Sequence, residues 1–145
     1  MRIPWQEGRP RERVKLVEAQ LVHGTDDRAH AEVALEWRAV EYRGKGSSVG
    51  HGTIELRVCA EATLDALHQL LAGRLSFRLI GVKSVKAFDD SVAIVALGVH
   101  DSEINEDRRL IGTAMAPEGN IPTGVARAVL NATNRVLGNF LATGG

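Results

Sequence analysis

Hydrophobic and polar positions along this chain alternate in short runs, break at turn residues, and twice change over to a helical period. Val14 to Gly24, VKLVEAQLVHG, carries enough Val and Leu for a strand, although its alternation is imperfect. Thr25-Asp26-Asp27 supplies a turn, since Asp carboxylates bond their own nearby backbone. AHAEVALEW then alternates, with Ala31, Val33, Leu35 and Trp37 on one face. A short connection near Arg38-Ala39 leads into a third strand, VEYRGKGSS, which the glycines at 44, 46, 50 and 52 are expected to end. From Thr53 the apolar positions admit two readings. TIELRV alternates like a strand, but Leu56, Ala60, Thr63, Leu67 and Leu71 keep helical spacing, which predicts a helix from about Thr53 to about Ala72 with Gly73 as its C′ stop.

The same order then recurs. FRLIGVKSVKAF reads as a strand, Asp89-Asp90-Ser91 as a turn, and SVAIVALGV as an apolar strand in which AIVAL (93–97) echoes AEVAL (31–35). HDSEINED reads as a polar hairpin tip, RRLIGTAMA as a third strand with Gly112 in the place of Gly44, and PEGNIPTG as the turn into a helix ending near Leu141. Pro122 suits the first turn of that helix, and Asn120 or Thr123 can cap it. The helices themselves repeat: AEATLDALHQLL (60–71) matches ARAVLNATNRVL (126–137) at Ala60/Ala126, Ala62/Ala128, Leu64/Leu130, Asp65/Asn131, Ala66/Ala132 and Leu71/Leu137.

The pattern therefore predicts an α+β fold of two tandem, pseudo-symmetric βββα units, with antiparallel sheets packed against two helices. The first unit spans 14–73 and the second 74–142, acting together as one compact domain. Residues 1–13, with two prolines and several charges, are expected to form a flexible arm, and 143–145 a tail. A period above about 60 residues is too long for a solenoid. One such unit cannot cover its own sheet, whereas two can bury their faces against each other. The Ala-rich helix faces permit close approach to a neighbouring element.

Composition narrows the function. With 18 basic and 18 acidic residues the formal net charge is +0, and aromatics are 4%. Both count against a nucleic-acid partner, which calls for a basic surface and stacking platforms. The N-terminus has no apolar segment of the signal-peptide kind and no run is long enough to span a membrane, so a cytoplasmic location and no membrane partner are expected. Cys59 is the sole cysteine, excludes an internal disulfide and reads as a small buried side chain. His23, His30, His51, His68 and His100 contain no His-x-His or His-x-x-x-His pair, so no metal site and no cofactor are expected. There is no Gly-x-Ser-x-Gly elbow, P-loop ending or dinucleotide fingerprint, and no nucleophile or dyad can be assembled from spacing; no catalytic residue is assigned. GKGSSVGHGT, just before the first helix, is a candidate turn for receiving a carboxylate or phosphate on backbone N–H groups, and EGNIPTG is its counterpart.

The stretch LIGTAMAPEGNIPTGVARAVLNATNRVL resembles the end of the C-terminal regulatory domain of the 2-isopropylmalate synthase family, through a strand-end Gly112, a short loop and the run Ala126, Leu130, Ala132, Asn134 and Arg135. In that family the domain is also two βββα units, pairs subunits and binds leucine as feedback inhibitor. The resemblance covers about residues 14–141. It implies a regulatory domain of leucine biosynthesis that forms a homodimer, senses an amino-acid-like metabolite, and acts on a separately encoded synthase or on another partner. The catalytic barrel, which needs about 250 residues, and its His-x-His metal motif are missing, so the chain is not expected to be an enzyme by itself. The first unit also lacks the family's Gly-x-Gly-x-Gly-Pro turn, and Asn120 replaces an acidic residue. The ligand-binding residues expected are Gly44, Gly46, Gly50 and Thr53 in the first turn, and Gly112, Asn120, Ile121 and Thr123 in the second. A purely structural dimerisation module with no ligand is the alternative reading; an RNA-binding domain and a small enzyme of unknown type stand behind it.

Overall fold

A computed structural model describes residues 13–101 and 106–144. The order of elements is β1 (Lys15–His23), β2 (Arg28–Trp37), β3 (Val40–Val49), α1 (Thr53–Leu71), β4 (Ser76–Ala87), β5 (Asp90–Asp101), β6 (Glu106–Met115), a single 3₁₀ turn (Pro117–Gly119) and α2 (Ile121–Gly144). Two three-stranded antiparallel sheets, β1-β2-β3 and β4-β5-β6, make an α+β fold of two βββα units. The hairpins β2–β3 and β5's partner β4 turn on two-residue connections with both residues at positive φ, Arg38-Ala39 and Phe88-Asp89. That geometry matches the twist of the flanking strands. The second of these turns falls one residue earlier than Asp89-Asp90-Ser91, because Asp90 and Ser91 already pair with Ala87 and Lys86. At the β1–β2 turn Asp26 Oδ1 accepts the Arg28 N–H at 3.1 Å, the local carboxylate bond expected of Thr25-Asp26-Asp27.

The duplication extends to irregularities. β1 slips register between Leu16 and Glu18, opposite Leu35-Ala34; β4 slips between Leu79 and Gly81, opposite Leu97-Ala96. Both slips oppose the equivalent points of the AEVAL and AIVAL strands.

Alternate residues of β2 (Ala29, Ala31, Val33, Leu35) and β5 (Ala93, Val95, Leu97, Val99) are buried and face the helices. α1 packs on β2 and β3 and reaches β4; α2 packs on β5 and β6 and reaches β1; the two helices touch. Leu67, Leu71, Val125 and Val129 complete one continuous core shared by the units. α1 ends with Ala72 and Gly73 both left-handed (φ 52° and 78°), and His68 Nε2 accepts the Phe77 N–H at 3.0 Å, tying the end of α1 to the start of β4.

Three expectations change. Gly44 and Gly46 do not end the third strand: β3 runs through both to Val49. β6 begins at Glu106, earlier than RRLIGTAMA implies. α2 runs through Gly138 and continues to Gly144, so residues 143 and 144 of the expected tail are helix. Residues 1–12 of the expected arm, 102–105 of the hairpin tip and Gly145 lie outside the described residues.

Candidate functional site

Gly44, Gly46 and Gly112 are strand residues beneath helices, not parts of ligand-holding turns. A Cβ at Gly44 would lie 2.0 Å from Ala62 O and 2.4 Å from Ala66 N; one at Gly112 would lie 2.1 Å from Ala128 O and 2.5 Å from Ala132 N. Gly46 is tight in the same way, 2.7 Å from Val58 O. The repeated Ala-x-x-x-Ala spacing of the helices is the other half of this contact, and it brings helix backbone against strand backbone. Gly50 keeps a place in the turn before α1, but its N–H is donated to Asp27 O at 3.1 Å. Thr53 is exposed at the first residue of α1. Asn120 caps α2, its Oδ1 accepting the Thr123 N–H at 3.2 Å, as sequence predicts.

Of the eight expected residues, the structure brings only Asn120 and Ile121 together in a cleft. They line a shallow groove of about 530 Å³ with Gln20, Glu55 and Pro122, where the start of α2 meets β1 and α1. A larger groove of about 670 Å³ runs between β6 and α2. Its lining includes the apolar Leu110, Leu137 and Leu141 together with Arg13, Arg109, Arg135, Asn131 and Asn134, Arg109 alternating with Leu110 and so lying on the outer face of β6. None of the three arginines is ion-paired with a described acidic side chain. Asn134 and Arg135 belong to the helix run quoted for the family resemblance; Arg13 and Arg109 come from distant segments, and no local spacing announces that they line one groove.

At the opposite end of the first unit, two histidines 28 residues apart meet. His51 sits between Gly50 (φ 135°) and Gly52 (φ 66°), a backbone that suits glycine, and its ring stacks on His23 at 5.2 Å and 15°. Glu55 Oε1 lies 3.5 Å from His23 Nε2 and 3.8 Å from His51 Nδ1, and accepts the Gly52 N–H at 3.2 Å. His51 Nε2 lies 3.6 Å from Asp27 Oδ1. The absence of close His spacing along the chain therefore did not keep these ligand-type atoms apart.

The outer sheet faces differ in chemistry. On β1-β2-β3, Arg43 is clasped by Glu41 (2.9 Å), Glu32 (3.0 Å) and Glu18 (3.2 Å), and the hydrogen bond to Glu41 leads in pushing its pKa further up. On β4-β5-β6 the corresponding face presents Ile80, Val85, Ile111 and Met115, the last two 59% and 57% exposed. Val92 and Ile94 lie half-buried among them, and Phe88, at the β4–β5 turn, is 98% exposed.

No protein-family model matches the chain, and comparison with curated proteins gives no match. Among the described residues no helix is long and apolar enough to cross a membrane.

Proposed function

We propose that this chain is a non-catalytic regulatory domain that binds a small anionic, amino-acid-like metabolite and assembles as a homodimer. The observation carrying this reading is the groove between β6 and α2, whose lining combines Arg13, Arg109 and Arg135 with the apolar Leu110, Leu137 and Leu141. Guanidinium groups recognise carboxylates by paired hydrogen bonds, and Leu110 and Leu137 suit an aliphatic side chain. The volume lies in the range of small-molecule sites. The resemblance of the same helix run to the regulatory domain of 2-isopropylmalate synthases agrees with such a ligand, and suggests a synthase as the protein regulated. Regulation requires the ligand to prefer one of two states of the domain or its assembly.

The test is a thermal-shift titration against leucine, isoleucine, valine and matching keto and hydroxy acids, repeated with Arg109→Gln and Arg135→Gln. Saturable stabilisation by one compound, lost in both variants, supports the reading. No shift at millimolar concentrations with any compound overturns it.

The apolar outer face of β4-β5-β6 favours a second reading, a module that assembles and holds no ligand. A dimer by light scattering, together with a silent ligand panel, would select it.

A further inference from the structure

We propose that His23, His51 and Glu55 form a binding site for a divalent transition-metal cation, with Asp27 as the outer partner of His51. The three side chains offer two imidazole nitrogens and one carboxylate oxygen, all within 4.8 Å of one another. This donor set suits Zn²⁺, Ni²⁺ or Cu²⁺ rather than Mg²⁺ or Ca²⁺, which prefer all-oxygen shells. Neighbouring ligands of tetrahedral Zn²⁺, with bonds of about 2.0–2.2 Å, are about 3.4 Å apart. The separations of 3.5 and 3.8 Å from Glu55 Oε1 to the two rings are close to that, and the cation requires the two exposed rings, now stacked at 15°, to turn so that their in-plane lone pairs meet.

Two further features fit a cation. When His51 ligates through Nδ1, its Nε2 lies 3.6 Å from the Asp27 carboxylate, close enough for that carboxylate to move into the hydrogen bond by which an outer carboxylate orients a metal-binding imidazole. Glu55 is likewise steadied, by the Gly52 N–H. The fold does not require these residues. Counting back along the repeated helices, Glu55 and His51 correspond to Ile121 and Pro117. His23 pairs with Ala29 where, in the second sheet, Lys86 pairs with Ser91. The second unit builds the same structure without a ligand atom at any of these three positions except the Lys86 amine.

The site and the arginine groove stand on different residues, so either can fail without the other. Calorimetric titration of the full chain with Zn²⁺ in a non-chelating buffer tests it, with Co²⁺ absorption as the geometric readout. We expect one cation per chain, a visible Co²⁺ spectrum, and loss of both in His23→Gln and in His51→Gln. Asp27→Asn should weaken binding about 10-fold, the effect of losing an outer-shell partner. His100→Gln, on the far hairpin, should leave binding unchanged. Urea midpoints of the variants confirm that each is folded. Absence of saturable Zn²⁺ binding, or binding that persists in folded His23→Gln and His51→Gln, overturns the assignment.

Discussion

Asp65 Oδ2 accepts the backbone N–H of Lys45 at 3.0 Å, and Asn131, its counterpart in the second helix, instead donates to the Thr113 carbonyl at 2.7 Å. Lys45 and Thr113 each follow the glycine on which the helix rests, in the third and outermost strand of their sheet. An edge strand leaves backbone groups unpaired. Each unit satisfies one of them with a helix side chain, and the choice of acid or amide follows the group addressed. Gln69, one turn beyond Asp65, continues the pattern by donating to Arg43 O at 2.6 Å.

This gives an asymmetric prediction. Asp65→Asn keeps an oxygen acceptor for Lys45 and should be nearly neutral. Asn131→Asp sets a carboxylate against the Thr113 carbonyl and should cost about 1 kcal/mol or more, since a hydrogen bond is replaced by two facing acceptors. Urea denaturation of the two variants distinguishes them; equal losses would show that the side chains are interchangeable and that these bonds contribute little.

Gly112→Ala should destabilise the fold by about 3 kcal/mol or prevent folding. Its Cβ would meet the Ala128 carbonyl at 2.1 Å, and relief requires α2 to move off the sheet. Gly81→Ala is the control, because nothing lies within 4 Å of the added atom; its urea midpoint should stay within about 0.5 kcal/mol of the parent. If Gly112→Ala were as mild as Gly81→Ala, close helix approach would not explain the repeated glycine.

Cys59 is buried, and burial pushes its thiol from the ordinary 9.0 to about 12. The nearby Glu55 charge adds to the rise. The unfolded chain loses this proton first, so above pH 9.0 the folded state binds more protons than the unfolded one. Its contribution to stability is intact below pH 9.0 and falls as pH rises towards about 12, with a slope of up to about 1.4 kcal/mol per pH unit. Cys59→Ala should flatten that part of the stability–pH curve. A thiol reagent at pH 8 should label the parent only when denaturant is added; rapid labelling of the native protein would contradict the burial.

On the proposal that the chain dimerises through the outer face of β4-β5-β6, Ile111→Asp combined with Met115→Lys should yield a monomer without lowering the stability of the fold, because both side chains point away from the core and are more than half exposed. Light scattering across a concentration series reads the mass. A parent chain that is monomeric overturns the proposed assembly, and a variant that stays dimeric overturns this face as its contact.

The sequence alone determined the two-unit plan, because duplication and periodicity are local properties. The two AxVAL strands, the paired Ala-rich helices, the Arg38-Ala39 turn and the Asn120 cap all follow from residues within a few positions of one another. The same local reading misplaced Gly44 and Gly46, since a glycine demanded by a helix overhead and a glycine demanded by a turn look alike along the chain. Tertiary structure alone decided that these glycines carry helix packing. It also decided that Arg13, Arg109 and Arg135 line one groove, and that His23 meets His51 and Glu55. These meetings depend on how α2 lies along β6 and how the β1–β2 turn stands beside the start of α1. Such placement comes from burying both sheets in one shared core, and no spacing within a single segment encodes it.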